Sequence, residues 1–175
     1  MRPGNVLHVA QGEHAVSGDG DTMITTILGS CVAACLWDGV ARIGGMNHIL
    51  LPHTPESDLR GRTAGVNAME LLINGLIRAG AARDRLEGKL FGGARMIAGL
   101  SDVGERNARF AAEFLSREGI PCRSSSLGGT QGRRVQFWPT TGRARQLLMP
   151  GHEVPLEVAP SIAAASPVDD EIELF

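Results

Sequence analysis

Residues 24–52 read ITTILGSCVAACLWDGVARIGGMNHILLP, and the rest of the chain is organised around this stretch. Two apolar segments rich in β-branched residues flank a Leu28-Gly29-Ser30 corner, and Cys31 follows the corner directly. His48 ends the next extended segment, just after the Gly44-Gly45 pair. A thiol at a glycine-containing bend, with an imidazole one strand away, is a candidate nucleophile and base.

The composition is that of an ordinary globular protein. A chain of 175 residues with 43% hydrophobic and 21% charged residues fits one domain with a sizeable single core. The formal net charge of -2 gives no argument for nucleic-acid or membrane binding, and no segment reaches the ~18 apolar residues that span a bilayer. Three cysteines in a chain of this size do not indicate a disulfide framework, so we expect a cytoplasmic protein.

The order of the predicted elements indicates a single α/β domain. Short strands are predicted over residues 6–9, 13–16, 23–27, 31–37, 40–43, 46–51, 86–91, 120–126, 133–138 and 144–149. Helical spacing of apolar residues predicts two helices, at 66–77 and 105–117, with a polar loop at 53–61 before the first. Because no βαβ repeat is present, we expect a layered α/β sandwich with mixed and antiparallel sheets and two main helices. Residues 1–155 should form this domain, and residues 156–175 a loosely ordered acidic tail.

The spacing of cysteine and histidine in the central stretch also matches a zinc-binding pattern. Cys31, Cys35, His48 and His53 form a C-x3-C-x12-H-x4-H string. The helix of a zinc finger would then have to contain the Gly-Gly pair and Pro52, and a proline in a helix interior costs ~3 kcal/mol. We therefore expect no metal at this stretch.

The same stretch supplies the parts of a thiol hydrolase. Cys31 is the candidate nucleophile, and His48 is the candidate base that takes and returns the proton. The backbone N–H groups of Ser30 and Cys31 are candidates for an oxyanion hole, because a glycine bend lets successive amides converge. Thr25, on the adjoining strand, is the candidate hydroxyl that orients the His48 ring, while Thr26 should point to the opposite sheet face.

Packing is the competing interpretation for these residues. Free cysteine is among the most buried residue types, and we assign Cys35 and Cys122 to packing. On spacing alone, packing also competes with catalysis at Cys31, and His48 could be a structural polar group. A catalytic Cys31 should be an exposed thiol of low pKa that is alkylated far faster than the other two cysteines.

Several short motifs, in their order and spacing, make the sequence similar to a known family. They are LGSC at 28–31, GGMNH at 44–48, LP at 51–52, KLFGGA at 89–94, GERN at 104–107 and LGGTQGR at 127–133. On these motifs the chain resembles the chemoreceptor glutamine deamidases of bacterial and archaeal chemotaxis, the CheD family, over about its first 150 residues. The catalytic cysteine, histidine and threonine of the family map to Cys31, His48 and Thr25.

The resemblance implies a function. It implies hydrolysis of glutamine side-chain amides on methyl-accepting chemotaxis receptors, which gives glutamate and ammonia without a metal or an organic cofactor. It also implies a layered α/β fold related to the glutamine-deamidating bacterial toxins, a location at receptor arrays, and binding of a CheC-type phosphatase. Two alternatives fit the same surface: a non-catalytic adaptor that binds receptors or that phosphatase, and a receptor methylesterase that uses the same site.

Overall fold

The computed structural model describes residues 4–52, 58–96, 102–150, 153–155 and 157. Within these ranges the chain forms nine strands and two α-helices. The strands are β1 (Asn5–His8), β2 (His14–Ser17), β3 (Thr22–Leu28), β4 (Val32–Asp38), β5 (Ile43–Asn47), β6 (Leu86–Gly92), β7 (Cys122–Leu127), β8 (Gly132–Trp138) and β9 (Arg143–Met149). The helices are α1 (Asp58–Ala79) and α2 (Val103–Arg117). The predicted α/β fold with two main helices is confirmed.

The strands form two mixed sheets. One sheet has the order β1-β3-β8-β9, in which β1 and β3 run parallel and the other neighbours run antiparallel. The second sheet has the order β2-β5-β4-β6-β7, in which β6 and β7 run parallel and the other neighbours antiparallel. Both helices pack on this second sheet. The layers are therefore sheet, sheet and helices, which confirms the predicted layered arrangement.

Strand β4 is buried on both faces because it lies between two apolar layers. Alternate side chains point to opposite faces of a strand. Val32 and Leu36 join the cluster under the helices, whereas Cys35 and Trp37 lie in the cluster between the two sheets. This double burial explains why the strand is apolar from Val32 to Trp37. It also confirms the predicted packing role of Cys35.

The segment after β4 differs from the sequence prediction. Two strands were predicted, at 40–43 and 46–51, but the structure has the single strand Ile43–Asn47. A turn occupies residues 39–42, and Arg42 has a φ of 57°, which is incompatible with an extended strand. The predicted strand at 40–43 is therefore wrong, since β5 begins only where this turn ends.

Two further predictions are corrected. Helix α1 begins at Asp58, inside the polar loop predicted at 53–61; residues 53–57 lie outside the described ranges. Cys122 is exposed rather than packed, because β7 is an edge strand of its sheet. Within the described residues, no helix is long and apolar enough to cross a bilayer.

A buried carboxylate fixes the end of β4. Asp38 is fully buried and accepts hydrogen bonds from the N–H groups of Val40, Ala41 and Ala82. The Arg85 guanidinium lies 2.8 Å from Asp38 Oδ2. Hydrogen bonds from Arg85, helped by these amides, hold the pKa of Asp38 well below its usual range, although burial opposes this. Asp38 therefore ties the turn before β5 to the segment before β6.

We predict that Asp38→Ala lowers the free energy of unfolding by about 1–3 kcal/mol, because it leaves three partly buried N–H groups without their acceptor. The pKa of Asp38 is lower in the folded chain than in the unfolded chain, so its contribution is present above about pH 4 and is lost as the pH falls further. Urea denaturation at neutral and acidic pH measures both effects. Asp84→Ala, which removes an exposed carboxylate nearby, is the control. Equal stability of wild type and Asp38→Ala at pH 7 would contradict this role.

Candidate active site

The corner at residues 29–31 connects the two sheets. β3 ends at Leu28 in the first sheet, and β4 begins at Val32 in the second. The Gly93 N–H donates to the Cys31 carbonyl at 2.8 Å. Gly92 has a φ of 110°, and a Cβ at this position would collide with the Cys31 carbonyl oxygen. The Gly92-Gly93 pair at the end of β6 is therefore needed to let the two backbone segments approach each other.

Asn107 supports the corner from helix α2. It is 1% exposed, its Nδ2 donates to the Ser30 carbonyl at 2.8 Å, and its Oδ1 accepts from the Leu51 N–H at 3.0 Å. Leu51 follows His48 by three residues, so one amide side chain ties both halves of the site to the helix. The sequence prediction assigned no role to Asn107. Its signal was its place in the GERN motif, on the helix flank that packs inward.

Cys31 and His48 lie side by side. Cys31 Sγ, a ring nitrogen of His48 and a carboxylate oxygen of Glu157 all lie within 4.8 Å of one another. The neighbouring residues hold this arrangement, because Val32 and Ile49 exchange two backbone hydrogen bonds at 3.0 and 2.8 Å. Both Cys31 and His48 are buried. The structure thus brings the predicted nucleophile and the predicted base together.

The hydroxyl that contacts His48 belongs to Thr26 and not to Thr25. Thr26 Oγ1 lies 2.9 Å from His48 Nδ1 and donates its proton to the Val9 carbonyl at 2.6 Å. Thr25 Oγ1 instead donates to the Val135 carbonyl at 2.8 Å, on the neighbouring strand. Adjacent residues of a strand point to opposite faces, so only one of the two threonines can face His48. The prediction of Thr25 as the orienting residue is therefore wrong.

These contacts fix the tautomer of His48. A hydroxyl carries one proton, and Thr26 gives it to Val9, so Thr26 accepts the Nδ1–H of the neutral ring. The lone pair then lies on Nε2, which has no hydrogen-bond partner among the described residues. Burial lowers the pKa of His48, while the Val9 carbonyl and the charge of Glu157 oppose this. A neutral ring with a free Nε2 beside a thiol is in the form of a general base.

The amides of the corner converge on one carboxylate. The N–H groups of Gly29 and Cys31 donate to Oε1 of Glu157 at 2.6 and 3.1 Å. The Ser30 N–H donates to Oε2 at 2.7 Å, and the Ser30 hydroxyl donates to the same oxygen. Successive N–H groups aimed at one point form an anion-binding nest. The predicted donors, Ser30 and Cys31, both take part, and Gly29 adds a third amide.

Glu157 is a site residue that sequence reasoning missed. The prediction placed it in a loosely ordered tail at 156–175, which lies outside the described residues apart from Glu157 itself. Burial alone would raise the pKa of Glu157, but hydrogen bonds from the corner outweigh burial and hold it below its usual value. A single glutamate in an acidic tail carries no sequence signal for such a position.

Cys31 is a protonated thiol in this arrangement. Its side chain is 0% exposed, so the expectation of an exposed thiol of low pKa is wrong for this state. Burial raises the pKa of Cys31, and the charge of Glu157 and its hydrogen bond with the thiol raise it further. Two of these three causes would disappear if Glu157 left the corner.

The donor set could also hold a metal ion. A thiolate, an imidazole and a carboxylate are ligands that zinc accepts, and here all three donor atoms lie within 4.8 Å of one another. This set differs from the spacing pattern in the sequence, because Cys35 packs between the sheets and His53 lies outside the described residues. The Glu157 carboxylate already accepts hydrogen bonds from the corner, which a metal would have to share. A metal here would also block proton transfer between the thiol and the imidazole.

An open cavity of about 480 Å³ lies next to His48. Val9, Arg134, Pro155 and Glu157 contribute to its lining. A cavity of this size accommodates a side chain or a small ligand. Glu157 therefore stands between open space and the buried thiol.

Comparisons with known proteins show the family to which this chain belongs. A family model described as CheD chemotactic sensory transduction matches residues 50–146. A protein of Rhizobium rhizogenes named "Probable chemoreceptor glutamine deamidase CheD" is 56% identical, over 97% of this chain and 95% of its own length. The chain belongs to the CheD family. A CheD relative from Agrobacterium fabrum with the same name is 55% identical, over 97% of this chain and 96% of its own length.

The CheD relatives align over nearly the whole chain, which includes the corner and His48. A relative from a Caulobacter species with the same name is 51% identical, over 99% of this chain and 94% of its own length. Among solved structures, a Neisseria meningitidis protein of the family model DUF152 matches with a TM-score of 0.49 and 12% identity. That match covers 82% of this chain and 74% of the other.

We predict that neutral His48 carries its proton on Nδ1. We also predict that the pKa for its conversion to the imidazolium lies below the usual value for histidine. Nitrogen-15 NMR of the imidazole measures both properties. Thr26→Val removes the acceptor and should shift the Nδ1–H resonance, whereas Thr25→Val, the matched control, should leave it in place. A wild-type ring protonated on Nε2 would contradict the assigned hydrogen bonds.

Proposed function

We propose that the protein converts glutamine side chains of chemotaxis receptors to glutamate and releases ammonia. The observation that carries this proposal is the Cys31–His48 pair beside three converging backbone amides. The receptor substrate rests on the CheD relatives, which are 51–56% identical and carry the name chemoreceptor glutamine deamidase.

The first step forms the nucleophile. His48 Nε2 takes the proton of the Cys31 thiol, which yields a thiolate and an imidazolium. Thr26 keeps accepting the Nδ1–H, so the ring stays oriented in both protonation states. Burial disfavours both charges, and Glu157 raises the pKa of the thiol, so the thiolate forms most easily when the carboxylate of Glu157 is absent and a substrate carbonyl faces the thiol.

The second step is attack on the carboxamide. A C–S bond forms between Cys31 and the amide carbon, and the electron pair of the C=O bond moves onto oxygen. The N–H groups of Gly29 and Cys31, which now donate to Glu157 Oε1, would hold this oxyanion. One such donor contributes about 2.7–4 kcal/mol to the stability of the transition state.

The remaining steps release ammonia and glutamate. His48 gives its proton to the amide nitrogen, the C–N bond breaks, and a thioester on Cys31 remains. A water molecule then gives a proton to His48 and attacks the thioester carbon, and the C–S bond breaks as the thiol is restored. The net reaction is carboxamide plus water to carboxylic acid plus ammonia, so the chemistry balances without a redox partner.

We predict that Cys31→Ala abolishes the conversion of receptor glutamine, with a loss on the order of 10³-fold or more. Mass spectrometry of a receptor fragment detects the mass gain of each amide-to-acid conversion. Cys35→Ala is the control, because Cys35 packs in the core between the sheets and should affect stability rather than turnover. Unchanged conversion by the Cys31 variant would refute the mechanism.

Thr26→Val should lower kcat about 10–100-fold, because His48 then loses the acceptor that orients its ring. Thr25→Val removes a hydroxyl from the neighbouring residue, whose hydrogen bond goes to the Val135 carbonyl, and should leave kcat close to that of the wild type. The same receptor-fragment assay compares the two. A larger loss of kcat in Thr25→Val than in Thr26→Val would contradict the assignment.

The finer features implied by the family are part of this proposal. They are a CheC-type phosphatase partner, a location at receptor arrays and a domain boundary near residue 155. Co-purification with the phosphatase and fluorescence microscopy of a tagged chain test the first two. Methanol release from methylated receptors would distinguish the methylesterase alternative from the deamidase. Normal chemotaxis in cells that carry the Cys31→Ala variant would favour the non-catalytic adaptor.

A further inference from the structure

We propose that Glu157 is a tethered, product-like ligand of the active site, and that the C-terminal segment carrying it competes with the substrate. This inference rests on the proposed deamidation, because the side chain that a glutamine deamidase releases is a glutamate. Glu157 places this same side chain, from within the chain, against the corner that would hold the substrate carbonyl.

The contacts of Glu157 are those of a bound ligand. Its Oε1 accepts from the amides of Gly29 and Cys31, and its Oε2 accepts from the amide and the hydroxyl of Ser30. A carboxylate offers acceptors to all these donors and carries a charge, whereas a neutral carboxamide has a single acceptor oxygen. The corner therefore binds the product form of a glutamine side chain more tightly than the substrate form.

The segment reaches the corner over a defined surface. Val154 packs on Gly132 of β8, where an added Cβ would collide with the valine side chain. Pro155 and Glu157 then line the open cavity together with Arg134. The described residues of this segment thus run from β8 towards the nucleophile, with Pro155 and Glu157 on the wall of the cavity.

Occupation of the corner and binding of substrate exclude each other. The two amides bonded to Glu157 Oε1 are the donors that an oxyanion on the substrate requires. Cys31 is 0% exposed while Glu157 is in place, so a substrate carbon cannot reach the sulfur. Substrate must displace Glu157, and the segment therefore acts as an intramolecular competitor.

The first test measures thiol accessibility and needs no substrate. If Glu157 occupies the corner about nine-tenths of the time, Glu157→Ala should raise the rate of Cys31 alkylation by iodoacetamide about tenfold. Glu153→Ala removes an exposed carboxylate of the same segment and should keep the wild-type rate. Peptide mass spectrometry assigns the label to each cysteine. An unchanged Cys31 rate in Glu157→Ala would overturn the proposal.

The second test uses turnover of a receptor fragment. Competition predicts that Glu157→Ala lowers KM about tenfold with little change in kcat, a pattern that mere loss of stability would not produce. If wild type and variant convert the fragment with the same KM, the proposal of a tethered competitor is overturned, whereas the proposed deamidase activity stands. No conversion by either chain, with faster alkylation of the variant, would instead overturn the proposed function.

The third test asks whether the side chain of residue 157 occupies the position that the substrate glutamine side chain takes at the corner. In Glu157→Gln, the introduced carboxamide should be attacked by Cys31 and return to a carboxylate, with ammonia released and one water consumed. The rate should be first order and independent of protein concentration. A chain that also carries Cys31→Ala should keep its glutamine. A glutamine that persists at 157 while receptor glutamine is converted would overturn the substrate-like position of the segment.

Discussion

The site depends on three neighbouring N–H groups, those of Gly29, Ser30 and Cys31, that face one point. A buried N–H group needs an acceptor, and these three N–H groups donate to the Glu157 carboxylate rather than to a carbonyl of the corner itself. The carbonyls of Ser30 and Cys31 are held from the other side, by Asn107 and Gly93. The N–H groups are thereby left aimed into the space beside the thiol. The two oxygens of a carboxylate in that space satisfy all three N–H groups, and a reaction oxyanion would take those of Gly29 and Cys31.

The two-sheet architecture explains how a base comes to lie beside this corner. β4 starts directly after the nucleophile, and the strand that ends just before His48 is its neighbour in the second sheet. The bridge between Val32 and Ile49 fixes the register of the residues next to Cys31 and His48. Thr26 of the first sheet then completes the hydrogen bonds of the imidazole. Each sheet therefore contributes one part of the acid–base machinery, and Cys31 and His48 are buried where the sheets meet.

Sequence reasoning found those parts of the site that lie within one local pattern. The LGSC and GGMNH motifs, each next to a predicted strand, identify Cys31 and His48 as a candidate pair. The choice between Thr25 and Thr26 could not be made, because it depends on which strand face meets His48 after the sheets pack. Glu157 could not be found either, since it lies 126 residues from Cys31 and has no local signature.

The strongest single test of a Cys31 nucleophile is active-site labelling with a substrate-like electrophile. A receptor fragment whose target glutamine is replaced by its diazoketone analogue should alkylate the attacking thiol. We predict one label per chain, on Cys31, with none on the exposed Cys122, and loss of labelling in a His48→Ala variant. Labelling of Cys122 in preference to Cys31, or labelling of Cys31 that does not depend on His48, would contradict the thiol–imidazole site.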